Sequence, residues 1–89
     1  MKTINNTTKT AQRFVNAYNR STASTLADVY GRYSTEKSRA EYFCRQRMQN
    51  ENGDGFRIIS YNTFGFSCGW QTADGLRVET ACNSYLIKN

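Results

Sequence analysis

The sequence predicts an α+β domain, with two or three N-terminal helices packed on one face of a three- or four-stranded antiparallel β-meander. Three observations predict it. Apolar residues recur at helical spacing up to residue 50, they alternate at period two from Phe56 onward, and clusters of Gly, Asn, Asp and Ser punctuate a chain that has no proline. With 89 residues the chain makes one small domain, spanning 1–89, that buries about 60 to 65% of its unfolded surface. Leu, Ile, Val and Phe together number only 15, so six Tyr and one Trp must supply the rest of the core. Each such ring buries roughly 150 to 250 Å² and needs a partner for its polar tip.

The elements follow in order. Residues 1–7 are polar and expected to be disordered, and the helical part runs over 8–50. Ala11, Phe14, Val15 and Tyr18 form an i, i+3, i+4, i+7 stripe, with Thr7 or Thr8 as the cap. Residues 19–25 have the small polar composition of a connector. Leu26, Val29, Tyr30 and Tyr33 suit a short helix opened by Thr25 and Asp28, although Gly31 and the β-branched and aromatic content leave residues 24–33 open to a strand. Ser34 opens a longer helix. Glu36 lies in its first turn and Arg45 and Arg47 in its last, as the macrodipole favours, while Ala40, Phe43, Cys44 and Met48 share its apolar face. Asn52-Gly53-Asp54-Gly55 closes it, glycine being the residue that accepts a left-handed cap.

The sheet occupies 56–87. Phe56–Tyr61 is the first strand, Asn62-Thr63 a tight turn and Phe64–Thr72 the second strand. In that second strand Phe64, Phe66, Cys68 and Trp70 share the face the helices should cover, and Gly65, Ser67, Gly69 and Gln71 share the other. Ala73-Asp74-Gly75 turns the chain into a third strand, Leu76–Cys82, with Leu76, Val78, Thr80 and Cys82 inward. Tyr85 and Ile87 are out of phase with Val78, which calls for a bulge or bend at Asn83 if they are to reach the core.

Composition removes several classes of function. Histidine is absent, and with it the side chain most used for acid–base chemistry near neutral pH and for metal ligation. Cys44, Cys68 and Cys82 are odd in number and lack CxxC spacing, so they read as buried thiols, with no catalytic, metal or cofactor site. The start has no apolar run of a signal peptide and no stretch approaches a membrane span, which gives a cytoplasmic expectation. The net charge of +5 is uneven: residues 1–50 carry nine basic and three acidic groups, and residues 51–89 carry three and four.

Two candidate surfaces follow. Arg13, Arg20, Lys37, Arg39, Arg45 and Arg47 can meet phosphates if the outer faces of the helices lie side by side, against the alternative of a solvated face whose charge serves solubility. The back of the sheet, with Arg57, Ile59, Tyr61, Gly65, Ser67, Gly69 and Arg77, is the candidate protein-contact face. Its small residues either let Ile59 or Tyr61 lie across them, or accept a second subunit, or form a platform for bases; the last is disfavoured because the aromatics of that strand point the other way.

The stretch Asp28-Val29-Tyr30-Gly31-Arg32-Tyr33-Ser34-Thr35-Glu36-Lys37, followed by Phe56-Arg57-Ile58-Ile59-Ser60-Tyr61-Asn62-Thr63-Phe64, resembles short uncharacterised proteins of phages and conjugative elements of gut Firmicutes. The resemblance covers about the last two thirds of the chain and includes no catalytic motif. It implies an accessory protein of a bacterial mobile element, not an activity. The expected function is therefore non-enzymatic binding through protein–protein contact or self-association. The alternative is nucleic-acid binding by the basic face of the N-terminal helices.

Overall fold

The computed structural model describes residues 1–21, 35–62, 65–80 and 83–89, with the backbone alone for 35–41, 60–62, 65 and 66. These residues form two helices and a five-stranded mixed sheet. In chain order they are β1 (Lys2–Asn5), α1 (Lys9–Arg20), α2 (Thr35–Asn50), β2 (Asp54–Asn62), β3 (Gly65–Thr72), β4 (Gly75–Glu79) and β5 (Ser84–Lys88). The strands lie in the order β1-β5-β4-β3-β2. The fold is thus α+β, as expected, and β2 to β5 are the antiparallel meander. The helix or strand considered for 24–33 lies outside the described residues.

Local chemistry sets the ends of the elements. The Thr8 hydroxyl accepts from the Ala11 amide and caps α1, and Ala11, Phe14, Val15 and Tyr18 face the sheet as their spacing requires. At the end of α2 the Gly53 amide donates back to the Met48 carbonyl, but the left-handed residue is Asn52, with φ of 55°. Gly53 is needed for a different reason. A Cβ there would lie 2.5 Å from the Trp70 ring, so only glycine lets the chain leave the helix this close to the sheet.

Residues 1–7, expected to be disordered, instead contribute a strand. Lys2–Asn5 pairs in parallel with Tyr85–Lys88, which makes the sheet mixed and five-stranded. The gain is twofold: β5 receives backbone partners on its outer edge, and Ile4 packs against the core beneath α1. Four residues with one apolar side chain show no period, so sequence pattern could not find them. The register is reset because β4 and β5 are separate antiparallel strands, in place of one strand with a bulge or bend at Asn83. Thr80 and Asn83 are joined by three hydrogen bonds, and beyond them Tyr85 and Ile87 pair with Val78 and Leu76.

The helices do not share one face. Gly69 pairs with Val78, and Trp70 pairs with Arg77, so Val78 and Trp70 point to opposite sides. Leu76, Val78 and Ile87 form a core with Ala11 and Tyr18 of α1, whereas Phe56, Cys68 and Trp70 form a second core with Cys44 and Met48 of α2. The molecule is a three-layer helix–sheet–helix arrangement among its described residues. Trp70 is fully buried, as the aromatic alternation of β3 predicts. Phe43, placed by spacing on the apolar face of α2, is 64% exposed.

Candidate functional site

The layer order decides what the predicted site residues can do. The expected back of the sheet is covered by α1: Ser67 and Gly69 are buried, Ile59 packs into the α1 core, and Tyr18 and Ile59 lie across Gly69 at 3.3 and 3.1 Å from where a Cβ would stand. The first of the three explanations for the small residues therefore holds for Gly69. Arg57 donates to the Tyr18 carbonyl at 2.9 Å and stacks over the Tyr18 ring at 4.6 Å, so it closes the end of α1. Arg77 does not belong to that face at all, since its pairing with Trp70 places it on the α2 side, where it is 5% exposed. As an accessible contact face this set is corrected by the structure. The side chain of Tyr61 lies outside the described residues, and Gly65 is described by its backbone, paired with Asn62.

The predicted basic face is also divided. Arg13 and Arg20 are exposed on α1, and Lys37, Arg39, Arg45 and Arg47 belong to α2 on the other side of the sheet. The condition that the two helices present their outer faces side by side is not met. On α2, Arg45 stacks over the Phe56 ring at 4.4 Å, and Arg47 pairs with Glu79 at 2.6 Å, a hydrogen bond that holds the guanidinium pKa above its ordinary value. The side chains of Lys37 and Arg39 lie outside the described residues.

Sequence reading missed the most connected polar cluster. Arg77, on β4, uses all five guanidinium N–H groups: toward both oxygens of Glu51, toward Glu79 at 3.0 Å, and toward the Ser84 hydroxyl and the Tyr85 carbonyl. The Trp70 indole N–H donates to Glu51, and Ser84 and Arg47 donate to Glu79. The cluster ties the end of α2 to β4 and β5. Its signal in the sequence was the Arg77–Glu79 spacing of two, which puts both side chains on one face of a strand. Each carboxylate is occupied by donors, so neither is poised as a general base. Tyr18 is likewise engaged: it donates to the Gly55 carbonyl, and burial raises its phenol above the ordinary value of 10.0. Among the described residues no three Cys, Asp or Glu side chains gather as a metal site would require, and no helix is long and apolar enough to cross a membrane.

Two surface features stand out among the described residues. On α2, Tyr42 and Phe43 are 41% and 64% exposed and meet edge to face, their centroids 6.1 Å apart. On the opposite side, a groove of about 340 Å³ runs between α1 and the end of the sheet formed by β3, β4 and β5. It is lined by carboxamides from both layers and by the apolar side chains of Val15, Leu76 and Ile87.

No family model, curated protein or solved structure matches this chain. Any functional reading must therefore come from these surfaces. Phe43 was legible as an apolar position but was assigned to the core, because helical spacing fixes a stripe and not which neighbour covers it. The groove had a legible trace, the second stripe Gln12, Asn16 and Asn19 at i, i+4 and i+7 on α1, but polar stripes on amphipathic helices are ordinarily solvated.

Proposed function

We propose that the chain is a non-enzymatic binding protein of a bacterial mobile element that acts in the cytoplasm by contact with another protein, through the outer face of α2. The observation that carries the reading is the Tyr42–Phe43 pair, two adjacent aromatic side chains left bare in a chain otherwise short of apolar residues. Aromatic side chains of this kind anchor protein interfaces, since they contribute large contact area at little entropic cost. The partner is a protein with an apolar depression rimmed by carboxylates. A second copy fits less well, because a twofold contact would bring two α2 helices together, each with four basic and two acidic residues. The engagement of Arg77, Glu51, Glu79 and Arg47 with one another supports a binding role over catalysis, and the likeness to proteins of phages and conjugative elements supports the setting.

The test is capture from bacterial lysate by the wild-type chain and by the Tyr42→Ser/Phe43→Ser variant, with light scattering and titration against random-sequence DNA and RNA at two salt concentrations. The reading expects a protein retained by the wild type at moderate salt and lost by the variant, from a monomeric bait. Equal capture by both chains, self-association through α2, or tight polynucleotide binding at physiological salt would each refute it.

A further inference from the structure

We infer that Cys44 and Cys68 are a dithiol pair across the interface of α2 with the sheet, which a small-molecule disulfide converts to a bond that clamps α2 to β3. Both are thiols in this structure, and both belong to the core that α2 shares with Phe56 and Trp70. The contacts around them fix their level. Arg47 of α2 and Glu51 just beyond its end reach Glu79 and Arg77 of β4, and these pair with Cys68 and Trp70 of β3. Four residues toward the start of α2 are thus matched by two toward the start of β3, about 6 Å in the helix and about 7 Å in the strand. Met48 stands at the level of Trp70, since a Cβ on Gly53 would lie 3.0 Å from Met48 Cγ and 2.5 Å from the Trp70 ring. The same step back from Met48 and Trp70 arrives at Cys44 and Cys68, each on the face its neighbour occupies.

A disulfide needs the two Cα atoms within about 7 Å, so the layers must lie close. They do one step along, where only glycine fits beside Met48 and Trp70. The thiols also differ in access, as an attacking and a resolving cysteine must. Cys68 is 0% exposed, whereas Cys44 is half-buried between Phe43 and Arg45. Arg47, bonded to Glu79, also feels the charge of Cys44, which puts a guanidinium near the thiolate, the reactive form. That thiolate attacks one sulfur of oxidised glutathione and expels a glutathione thiolate, leaving a mixed disulfide on Cys44. Cys68 gives up its proton and attacks the Cys44 sulfur, which closes the bond and expels the second glutathione thiolate. Two electrons leave the protein, its two thiol protons pass to the expelled thiolates, and two molecules of reduced glutathione result. Excess reduced glutathione runs the exchange backward, so in a reducing compartment the bond is transient.

The experiment equilibrates the full chain and its Cys82→Ser variant with reduced and oxidised glutathione at several ratios, alkylates the remaining thiols and maps the peptides by mass spectrometry. Cys44 and Cys68 are expected in one bond in both chains, with Cys82 alkylated in the wild type. The bond spans 24 positions of the chain, so it restricts the unfolded state, and the urea midpoint followed by helical circular dichroism rises by about 1 M on oxidation and returns with dithiothreitol. Cys68→Ala stops at the glutathione adduct on Cys44, and Cys44→Ala leaves Cys68 a thiol. Should an alanine variant fail to fold, the peptide map of the wild type and of Cys82→Ser decides alone. Unchanged thiols in excess oxidised glutathione, a bond that includes Cys82, a bond between two chains, or a lowered urea midpoint overturns the pair.

Discussion

Arg77 is the residue on which the polar interior turns. It is a cation with 5% exposure, flanked by two carboxylates, an indole 5.2 Å away and two acceptors from β5. Taking such an ion from water is costly, and only the complete set of acceptors offsets that cost. Arg77→Leu takes from the buried Glu79 the buried one of its two counter-ions, leaving only the half-exposed Arg47, and it unpairs Glu51; we expect a loss of about 3 kcal/mol in urea unfolding. Adding Glu79→Leu restores much of it, because Arg47 is half exposed and can be solvated, and Glu51 keeps a third of its side-chain surface. A double variant as unstable as the single one would mean that the ion pair itself, and not the stranded charge, supports the fold. The types and positions of these residues were legible in the sequence. Their convergence was not, because Glu51 and Arg77 are distant in the chain and meet only when α2 docks.

At the level of elements, the packing of α1 on the sheet depends on Gly69. Strand propensity favours valine at this position. The layer arrangement opposes it, since the new Cβ would stand 2.9 Å from the Arg77 carbonyl and within contact of Ile59 and Tyr18. Gly69→Val is expected to destabilise the chain by about 1 to 3 kcal/mol, with loss of helical circular dichroism at lower urea than Trp70 fluorescence, as α1 lifts before the α2 core opens. An unchanged or raised midpoint would show this face to be uncovered. The alternation of β3 told that its glycines and its aromatics lie on opposite faces. It did not tell that both faces are covered, because a covered small-residue face and a wet one have the same pattern.

Across the whole molecule, the chain ends meet: Lys2 pairs with Tyr85 and Ile4 with Ile87. Closing so long a loop costs entropy that the pairing recovers only once the rest of the sheet exists, so β1 docks late in folding. Ile4→Ala should therefore raise the unfolding rate and leave the folding rate nearly unchanged in stopped-flow denaturant kinetics, while the amides of β5 exchange faster. A slowed folding rate would place β1 in the nucleus instead. The same global arrangement separates Arg13 and Arg20 from Arg45 and Arg47 by the thickness of a sheet, which is why the basic bias of the first 50 residues does not make one phosphate-binding surface.

Periodicity alone placed α1, α2 and the first turns of the meander to within a few residues, and the alternation along β3, because these depend on near neighbours in the chain. The tertiary structure decided that α1 and α2 stand on opposite sides, that residues 2–5 complete the sheet in parallel, and that Phe43 is bare while Gln12, Asn16 and Asn19 line one groove with Gln71. Those facts depend on which strand register brings distant residues together, and a one-dimensional pattern carries no term for it.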